Sequence, residues 1–193
     1  MRTFKITSWK SSSLWLIGLM LVLVLWQQKP VEAQPQPAEI LAIYFTPPVG
    51  AQQGLIKQID QAKKSIRVMA YGFTQPELAQ ALVKAKKRGV QVELIQDDKS
   101  ANNNRDALEP LFLAGIEIRS DGEHAIFHNK VMLIDDDIVI TGSYNFTKSA
   151  EKRNAENIVI FRSAYAAKRY AENWATHWQH AEKMTILPPP KKK

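Results

Sequence analysis

Hydrophobic and polar positions along the chain follow two alternating periods. Short apolar runs typical of β-strands lie at residues 40–45, 66–73, 90–95, 116–119, 130–134, 138–141 and 157–161. Between them, apolar residues recur every three to four positions, as in amphipathic helices, at residues 55–64, 76–88, about 106–114 and 163–183. Strands that alternate with helices predict a single α/β domain, with a mixed, largely parallel β-sheet flanked by helices on both faces.

Turn-forming residues mark where several of these elements end. Pro76 suits the first turn of a helix, and Gly89, which follows a run of basic residues, suits its C-terminal end. Gly115 is expected to close the next helix in the same way. Asp135–Asp137 is predicted to be a turn between two strands, and residues 97–104 are predicted to form a polar loop.

The N-terminal region has the order of segments found in a secretory signal peptide. A basic opening precedes an unbroken apolar run from Leu14 to Trp26, and Ala33 suits a cleavage site. This run would rise about 20 Å as a helix, less than the roughly 30 Å of a bilayer's hydrocarbon core. We therefore expect residues 1–33 to be removed during export to the periplasm or the medium. An uncleaved membrane anchor at residues 14–26 is the alternative.

The rest of the chain divides into a linker at residues 34–38, one domain at residues 39–185 and a basic, proline-rich tail at residues 186–193. Four of the 26 basic residues and one of the 19 acidic residues lie within residues 1–33, which leaves a net charge of +4 on the remainder. That charge is compatible with a polyanionic partner without requiring one. The 45% hydrophobic content excludes a disordered chain, and the lack of cysteine is compatible with export.

Several side chains suited to binding a phosphate are concentrated near the middle of the domain. On a strand, residues two apart lie about 6–7 Å from each other on one face, so His128 and Lys130 are able to address the same small anion. The apolar residues that follow predict a buried strand that holds both side chains rigidly. Gly142 permits a tight bend, beyond which Ser143 and Asn145 present uncharged hydrogen-bond donors. Together these residues predict a site for a pentacoordinate phosphorus centre.

This pattern resembles the signature of the phospholipase D superfamily. The signature is His-x-Lys, four residues, Asp, six residues and Gly-Ser-x-Asn, and every position and both gaps are met between His128 and Asn145. The resemblance extends over about residues 40–183, and small bacterial periplasmic endonucleases with one copy of the signature resemble this chain nearly throughout. It implies phosphodiester hydrolysis that uses no cofactor and no metal ion.

The resemblance also implies a two-step substitution at phosphorus. One histidine forms a phosphohistidine, and a second histidine protonates the leaving oxygen and then activates water. Because this chain carries one signature, the resemblance implies a homodimer in which His128 of both subunits faces one phosphate. Lys130 and Asn145 are expected to bind the phosphate, Ser143 to donate a hydrogen bond within the site, and Gly142 to support its backbone.

Two acidic positions receive different roles from the same resemblance. Asp135 is expected to support the site through structural hydrogen bonds rather than to react. Glu156 stands where related enzymes place a carboxylate that orients the catalytic imidazole and fixes its tautomer. Asp136 and Asp137 are expected to make the local hydrogen bonds of a turn and not to bind a cation.

Five further polar residues lie outside the signature. Lys99 and Arg105, in or beside the predicted polar loop, are weak candidates for binding the phosphates that flank the scissile one. His124 would lie about 13 Å from the catalytic histidine along a strand, too far to share a metal ion with it, and is predicted to be a substrate-side or surface residue. His177 and His180 lie on the last predicted helix and are expected to pack or to face solvent.

Two classes of substrate follow from this chemistry. A non-specific endonuclease acting on DNA, and also on RNA, fits the family resemblance and the mildly basic domain. A phospholipase D acting on phosphatidylcholine or a similar phospholipid uses the same chemistry but needs an apolar groove or interfacial patch, and the sequence shows no such segment outside residues 14–26. A nucleic-acid-binding protein without activity is the third alternative, and the intact signature argues against it.

Overall fold

The structure, a computed structural model, describes residues 36–48, 50–185 and 187. The predicted signal peptide, the first two residues of the predicted linker, and residues 186 and 188–193 of the predicted tail lie outside that part of the chain. Within the described part, no helix combines the length and the hydropathy that crossing a bilayer requires.

The described domain is built from eight strands and five α-helices. The strands are β1 (Glu39–Thr46), β2 (Ser65–Ala70), β3 (Gln91–Asp97), β4 (Glu117–Asp121), β5 (Lys130–Ile134), β6 (Ile138–Gly142), β7 (Glu156–Arg162) and β8 (Glu182–Lys183). The helices are α1 (Ala51–Gln61), α2 (Pro76–Lys87), α3 (Ala101–Leu113), α4 (Lys148–Lys152) and α5 (Ala164–His180), and a short 3₁₀ helix (Asp98–Ser100) precedes α3.

All eight strands form one mixed sheet, in the order β1-β7-β6-β5-β2-β3-β4-β8. β2, β3 and β4 pair in parallel, as expected for strands that α2 and α3 connect. The other neighbouring strands pair antiparallel. The predicted mixed sheet is confirmed, but its parallel part is confined to these three strands. One reason is that the turn at Asp135–Asp137 joins β5 to β6 and is too short for a parallel crossover.

Helices cover both faces of the sheet, as predicted. Successive residues of a strand point to opposite faces, so neighbours in β2 enter different cores. Val68 packs in the core that α1, α2 and α3 complete, whereas Met69 packs in the core that Ala167 and Trp174 of α5 complete. The two cores hold the sheet rigid at its centre, where β5 and β2 meet.

The predicted ends of helices and turns are confirmed at several positions. Pro76 occupies the first turn of α2, and Gly89 and Gly115, which follow α2 and α3, have φ angles of 91° and 70° that favour glycine. Asp135 and Asp136 also have positive φ angles, 55° and 56°, as the tight turn between β5 and β6 requires.

Several boundaries differ from the sequence prediction: α1 covers residues 51–61 and not 55–64, β2 ends at Ala70 and not at residue 73, and α4 was not predicted. Two further differences change the type of element. Helix α3 begins at Ala101, so the polar loop predicted at residues 97–104 is wrong. The side chain of Asp97 accepts a hydrogen bond from the backbone N–H of Ser100 (2.9 Å), which starts the helical turns earlier than the apolar periodicity indicates. Glu182–Lys183, predicted to be helical, pairs with the edge of β4 as a short strand instead.

Candidate active site

His128 and Lys130 lie side by side where the chain enters β5. The centroid of the Tyr71 ring lies 4.7 Å from that of the His128 imidazole and 5.3 Å from Nζ of Lys130. Nζ of Lys130 also donates a hydrogen bond to the carbonyl oxygen of His128 (3.0 Å). The structure therefore places the imidazole and the ammonium group together, as the sequence predicts, with Tyr71 as their shared support.

His128 precedes the first residue of β5, yet the backbone on both sides of it is anchored. The N–H of Tyr71 donates to the carbonyl oxygen of Asn129 (2.9 Å), which extends the pairing of β2 with β5. Phe127 is buried, and its N–H donates to the carboxylate of Asp97 (2.8 Å). The exposed imidazole of His128 therefore projects from a fixed backbone, which preserves its aim.

The Gly-Ser-x-Asn turn (residues 142–145) follows β6 and lies beside the same support. Gly142 has a φ of 153°, and a Cβ at this position would lie 2.2 Å from the carbonyl oxygen of Asn157, so the turn requires glycine. A Cβ added to Gly72, which follows Tyr71, would lie 3.4 Å from the Cβ of Asn145. The residues after β2 therefore connect Asn145 to the pair formed by His128 and Lys130.

The side-chain oxygen of Asn145 is buried and has no hydrogen-bond partner among the described residues. Leaving such an oxygen unpaired costs about 1–3 kcal/mol, so a folded protein retains it only where something else compensates. Rotation of the amide by half a turn would present its N–H donors in place of the oxygen, and a phosphate oxygen requires donors. The unpaired amide is consistent with the predicted role of Asn145 as a phosphate ligand.

Glu156 makes hydrogen bonds with Ser143 and Asn154. The hydroxyl of Ser143 donates to one carboxylate oxygen (2.5 Å), and the amide of Asn154 donates to the other (2.9 Å). Among the described residues, no hydrogen bond joins Glu156 to His128, so Glu156 does not orient that imidazole within a single chain. It acts electrostatically on Lys130 instead, because burial lowers the pKa of Lys130 and the charge of Glu156 opposes that shift.

A buried carboxylate ties the Gly-Ser-x-Asn turn to α1. Glu151 accepts hydrogen bonds from the hydroxyl of Tyr144 (2.8 Å) and from the N–H groups of Gly50 (2.7 Å) and Gln52 (3.0 Å), where α1 begins. Its negative charge suits the positive end of the helix dipole. Burial and the neighbouring Glu151 carboxylate raise the pKa of Tyr144 above its usual range, so this hydroxyl remains a hydrogen-bond donor.

Asp135 lies at the opposite end of β5 from Lys130, roughly 16 Å away along the strand. Its carboxylate accepts hydrogen bonds from the backbone N–H groups of Lys63 (2.8 Å), Lys64 (2.7 Å) and Ser65 (3.0 Å). Burial raises the pKa of Asp135, but these three bonds outweigh burial and bring the pKa below its usual value. Asp135 thus makes structural hydrogen bonds, as predicted, and supports the phosphate site only through the strand.

Lys99 and Arg105 lie on helical turns, not in the loop from which their roles were predicted. Nζ of Lys99 donates to the carbonyl oxygen of Ala125 (2.7 Å), in the segment between β4 and β5 that leads to His128. Arg105 lies on α3 and pairs with Glu109 (3.3 Å), one turn along the same helix. Lys99 is therefore near the approach to the site, whereas Arg105 is engaged on its own helix. Contact of either residue with flanking phosphates stays a prediction.

Sequence reasoning assigned no role to two residues that support the site, Tyr71 and Asn104. Asn104 is buried on α3, donates to the carbonyl oxygen of Tyr71 (3.0 Å) and accepts from the N–H of Phe73 (2.9 Å). These bonds fix the chain after β2, on which the Tyr71 ring is mounted. The sequence pattern places Asn104 in a predicted polar loop, and its partners become visible only once α3 is packed against β2.

A single chain supplies one imidazole to this site. The other histidines, His124, His177 and His180, contact the carboxylate of Asp121 instead. The exposed imidazole of His128 is placed to attack an electrophile, and Lys130 is placed to stabilise negative charge beside it. The arrangement therefore suits nucleophilic attack on a phosphate ester.

Comparisons with known proteins point to the same chemistry. A family model described as "Cardiolipin synthase, PLD-like domain" matches residues 55–178. A protein named phospholipase D from Rickettsia bellii is 43% identical over 130 residues, which cover 67% of this chain and 65% of that protein. A protein named mitochondrial cardiolipin hydrolase from Xenopus tropicalis is 32% identical over 119 residues, which cover 62% of this chain and 57% of that protein. In both cases the match spans less than two thirds of the relative's own length.

A solved structure extends the likeness to three dimensions. Nuc from Salmonella typhimurium, described as a phospholipase D family member, is 36% identical in sequence and has a TM-score of 0.72. The superposition covers 78% of this chain and 100% of that chain. The fold, the signature and the family model agree, and the chain belongs to the phospholipase D superfamily.

Proposed function

We propose that this chain is a non-specific endonuclease that hydrolyses DNA, and RNA as a further substrate, through a phosphohistidine on His128. The observation that carries the proposal is the grouping of the exposed His128 with the half-buried Lys130 and Asn145 on an anchored backbone. In the first step a ring nitrogen of His128 attacks phosphorus, and the bond from phosphorus to the leaving oxygen breaks. In the second step water attacks phosphorus, which restores the imidazole and releases a phosphate monoester.

Lys130 and Asn145 provide what the crowded phosphorus centre needs in both steps. Negative charge builds up on the phosphate oxygens in the transition state, and a fixed ammonium group and amide donors stabilise it without reorganisation. Burial of Lys130 strengthens that electrostatic effect because the local dielectric is lower than in water. The scheme therefore needs no metal ion at the phosphate.

The leaving oxygen needs a proton donor, and we assign this role to His128 of a second subunit in a homodimer. Two exposed apolar side chains of the edge strand β1, Ile43 (56% exposed) and Phe45 (68% exposed), support a subunit contact near the site. β1 pairs with β7 so that Thr46 lies opposite Glu156. A partner on this side would also bring Glu156 of one subunit toward His128 of the other, which accounts for the carboxylate that does not reach His128 within one chain.

Exposed basic side chains next to the Gly-Ser-x-Asn turn favour a polynucleotide. Lys148, Lys152 and Arg153 lie on or directly after α4, within eight residues of Asn145. A polynucleotide presents further phosphates on both sides of the scissile one, and such cations bind them at any sequence. A single phospholipid headgroup offers fewer charges for the same side chains.

A phospholipid is the second candidate substrate. The names of the relatives from Rickettsia bellii and Xenopus tropicalis favour it, and the exposed side chain of Ile126 (53% exposed) lies two residues before His128. A surface cavity with apolar lining, about 370 Å³ in volume, is formed by residues that include Phe112, Ile116 and Ile118, at the β4 edge of the sheet. Because that cavity does not border His128, it does not serve as an acyl-chain groove for this site, and we place the lipid second.

The substrate is tested with purified protein, supercoiled plasmid DNA, RNA and phosphatidylcholine vesicles, each with excess EDTA and with thermal unfolding followed in parallel. We expect nicking of DNA that persists in EDTA and falls by at least about 10³-fold in His128→Ala. Lys130→Ala is expected to lose activity as well, whereas Lys57→Ala, an exposed lysine on α1, serves as the matched control. Choline release without nicking of DNA would refute the endonuclease proposal and support a phospholipase D. Undiminished turnover in His128→Ala would refute both proposals.

The homodimer is tested separately by sedimentation and by mixing unaltered subunits with His128→Ala subunits. Because each site needs His128 from both subunits, mixed dimers are expected to be inactive, and activity is expected to fall with the square of the fraction of unaltered subunits rather than in proportion to it. A monomer with full activity would contradict the shared site.

A further inference from the structure

Three of the chain's four histidines converge on one buried carboxylate. Nδ1 of His124 lies 2.9 Å from Oδ1 of Asp121, while Nδ1 of His177 (3.0 Å) and Nε2 of His180 (2.9 Å) face its Oδ2. One ligand atom from each of the four residues lies within 4.8 Å of all the others. We infer that a zinc ion binds at this point, between β4 and α5, held by Asp121, His124, His177 and His180.

The donor set is that of a structural zinc site. Zinc takes four ligands in a tetrahedron, with bonds of about 2.0–2.1 Å to imidazole nitrogen and carboxylate oxygen, so neighbouring ligand atoms lie roughly 3.3 Å apart. To meet that geometry, the nitrogen–oxygen separations of 2.9–3.0 Å around Asp121 have to grow by a few tenths of an ångström. The ligand atoms that lie up to 4.8 Å apart have to move closer together. Imidazole ligands favour zinc over magnesium or calcium, and four protein ligands leave no open position for catalysis.

A strand end and a helix hold three of the four ligands, and the fourth, His124, lies on the turn that follows the strand. Asp121 is the last residue of β4, and the N–H of Glu123 donates to its carboxylate (3.2 Å), so the turn that carries His124 begins from a fixed point. His177 and His180 are three residues apart on α5, which places both on one face of the helix. Ligands on a strand end and a helix face are held more precisely than ligands on a loop.

Hydrogen bonds alone leave the charges of this cluster poorly balanced. The three imidazole rings lie close together, with centroids 5.0–5.4 Å apart, and the side chain of Asp121 is fully buried. Protonated imidazoles at these separations would repel one another. Zinc binds neutral imidazoles and supplies the positive charge that the buried carboxylate needs, which resolves both difficulties.

The ion has a route into the site from the surface. His124 and His180 keep 46% and 26% of their side chains exposed, whereas Asp121 keeps none. A surface cavity of about 310 Å³ reaches His180, and its other lining residues include the acidic side chains of Glu123 and Glu182. Carboxylates around an entrance raise the local concentration of cations, and an entry path is one requirement of a genuine metal site.

The inferred zinc is a stabilising element next to the active site, not part of the phosphate chemistry. The ring of Phe127 packs against His177, with centroids 4.9 Å apart, and Phe127 directly precedes the catalytic His128. Zinc would link the turn after β4 to α5 and so hold in place the backbone segment from which His128 projects. From the sequence, His177 and His180 are expected to pack or to face solvent and His124 is treated separately, whereas in the structure all three contact Asp121.

Binding is tested on the full chain, freed of metal by dialysis against a chelator. We expect titration with ZnCl₂ against a chromophoric competitor to give one zinc per chain, and zinc to raise the melting temperature. Cobalt(II) in place of zinc is expected to give the visible absorption of a tetrahedral ion. Absence of zinc binding at micromolar concentration, or a cobalt spectrum typical of six-coordinate water, would overturn the inference.

Variants locate the site and separate it from the nuclease proposal. His180→Ala and Asp121→Asn are expected to weaken zinc binding by more than the roughly 10–100-fold that loss of a mere supporting residue causes. The matched control Gln179→Ala, an exposed neighbour on α5, and His128→Ala are both expected to keep full zinc binding. Equal affinity in His180→Ala and in the unaltered chain would refute the site. If the variants do not fold, the cobalt spectrum of the unaltered chain decides alone.

Discussion

Replacing Asp135 by asparagine separates the structural role of a signature residue from the chemistry. The Asp135 carboxylate accepts three backbone N–H groups, from Lys63, Lys64 and Ser65, at 2.7–3.0 Å. Asparagine keeps one acceptor oxygen and tolerates the φ of 55° at this position. Asp135→Asn therefore removes the charge and at least one hydrogen bond while it preserves the turn between β5 and β6.

The expected loss of stability follows from those three bonds. A hydrogen bond to a charged group contributes about 1.5–3 kcal/mol, but bonds that share one partly exposed carboxylate do not add fully. We expect Asp135→Asn to lower the free energy of unfolding by about 2–3 kcal/mol at pH 7. In a domain of this size that corresponds to a fall in melting temperature of roughly 5–10 °C.

The pH dependence of this difference has a definite sign. The folded-state pKa of Asp135 lies below its usual value because the three N–H groups outweigh burial. A carboxyl group with a lowered folded pKa stabilises the fold above its unfolded pKa, and this contribution is lost as the pH falls through the folded pKa. The difference in stability between the unaltered chain and Asp135→Asn is therefore expected to shrink below about pH 4.

Urea denaturation at neutral and at acidic pH measures the effect, and Asp136→Asn is the control. Asp136 pairs with Arg67 at 2.7 Å, but 59% of its side chain is exposed, so its loss is expected to cost less than about 1 kcal/mol. At a temperature where both proteins are folded, hydrolysis by Asp135→Asn is expected to match the unaltered chain. Equal stability of Asp135→Asn and the unaltered chain would refute this reasoning. So would a fall in kcat of more than about tenfold in folded Asp135→Asn.

Further variants test other parts of the site. Gly142→Ala drives a Cβ to 2.2 Å from the Asn157 carbonyl oxygen, so we expect a loss of at least about 3 kcal/mol, measured by thermal unfolding. Burial lowers the pKa of Lys130, so the alkaline limb of kcat/KM is expected at lower pH than an ordinary lysine would give, and Lys130→Arg is expected to move it upward; an unmoved limb would contradict this. Tyr144→Phe removes the hydrogen bond to buried Glu151 and is expected to lower the free energy of unfolding by about 1–2 kcal/mol, measured by urea denaturation. It is expected to leave the alkaline limb of kcat/KM where it is.

The parts of the active site that the sequence predicts are those defined by short spacing. His128 and Lys130 are two residues apart in an extended segment, so their proximity follows from strand geometry whatever the fold. The tight turn at Gly142 is also a local prediction, because glycine is the residue that such a bend favours. The structure confirms it, with a positive φ and a close approach to the backbone of Asn157. Local geometry thus predicts that His128 and Lys130 lie together, whereas the role of His128 as the nucleophile follows from the resemblance to the phospholipase D superfamily and stays a prediction.

Contacts between elements distant in sequence could not be predicted in this way. Glu156 binds Ser143 because β6 and β7 pair in a register that places Gly142 opposite Ile158, and nothing in the sequence specifies that register. Asn104 lies in helix α3 and not in the predicted polar loop, and its side chain bonds to Phe73 and Tyr71, 31 and 33 residues away along the chain. In both cases a polar side chain is satisfied by a distant backbone or side chain, which overrides the local pattern.

The histidine cluster shows how one missed strand hides a site. Asp121 with His124, and His177 with His180, are two short-range pairs, and each pair alone is too common to indicate a metal. What joins them is the pairing of β8 with β4, in which Glu182 lies opposite Ser120. Ser120 precedes Asp121, and Glu182 follows the end of α5 by two residues, so this register alone brings His180 next to Asp121. The sequence prediction runs the last helix to about residue 183 and includes no strand there, so it contains nothing that places the histidines of α5 beside β4.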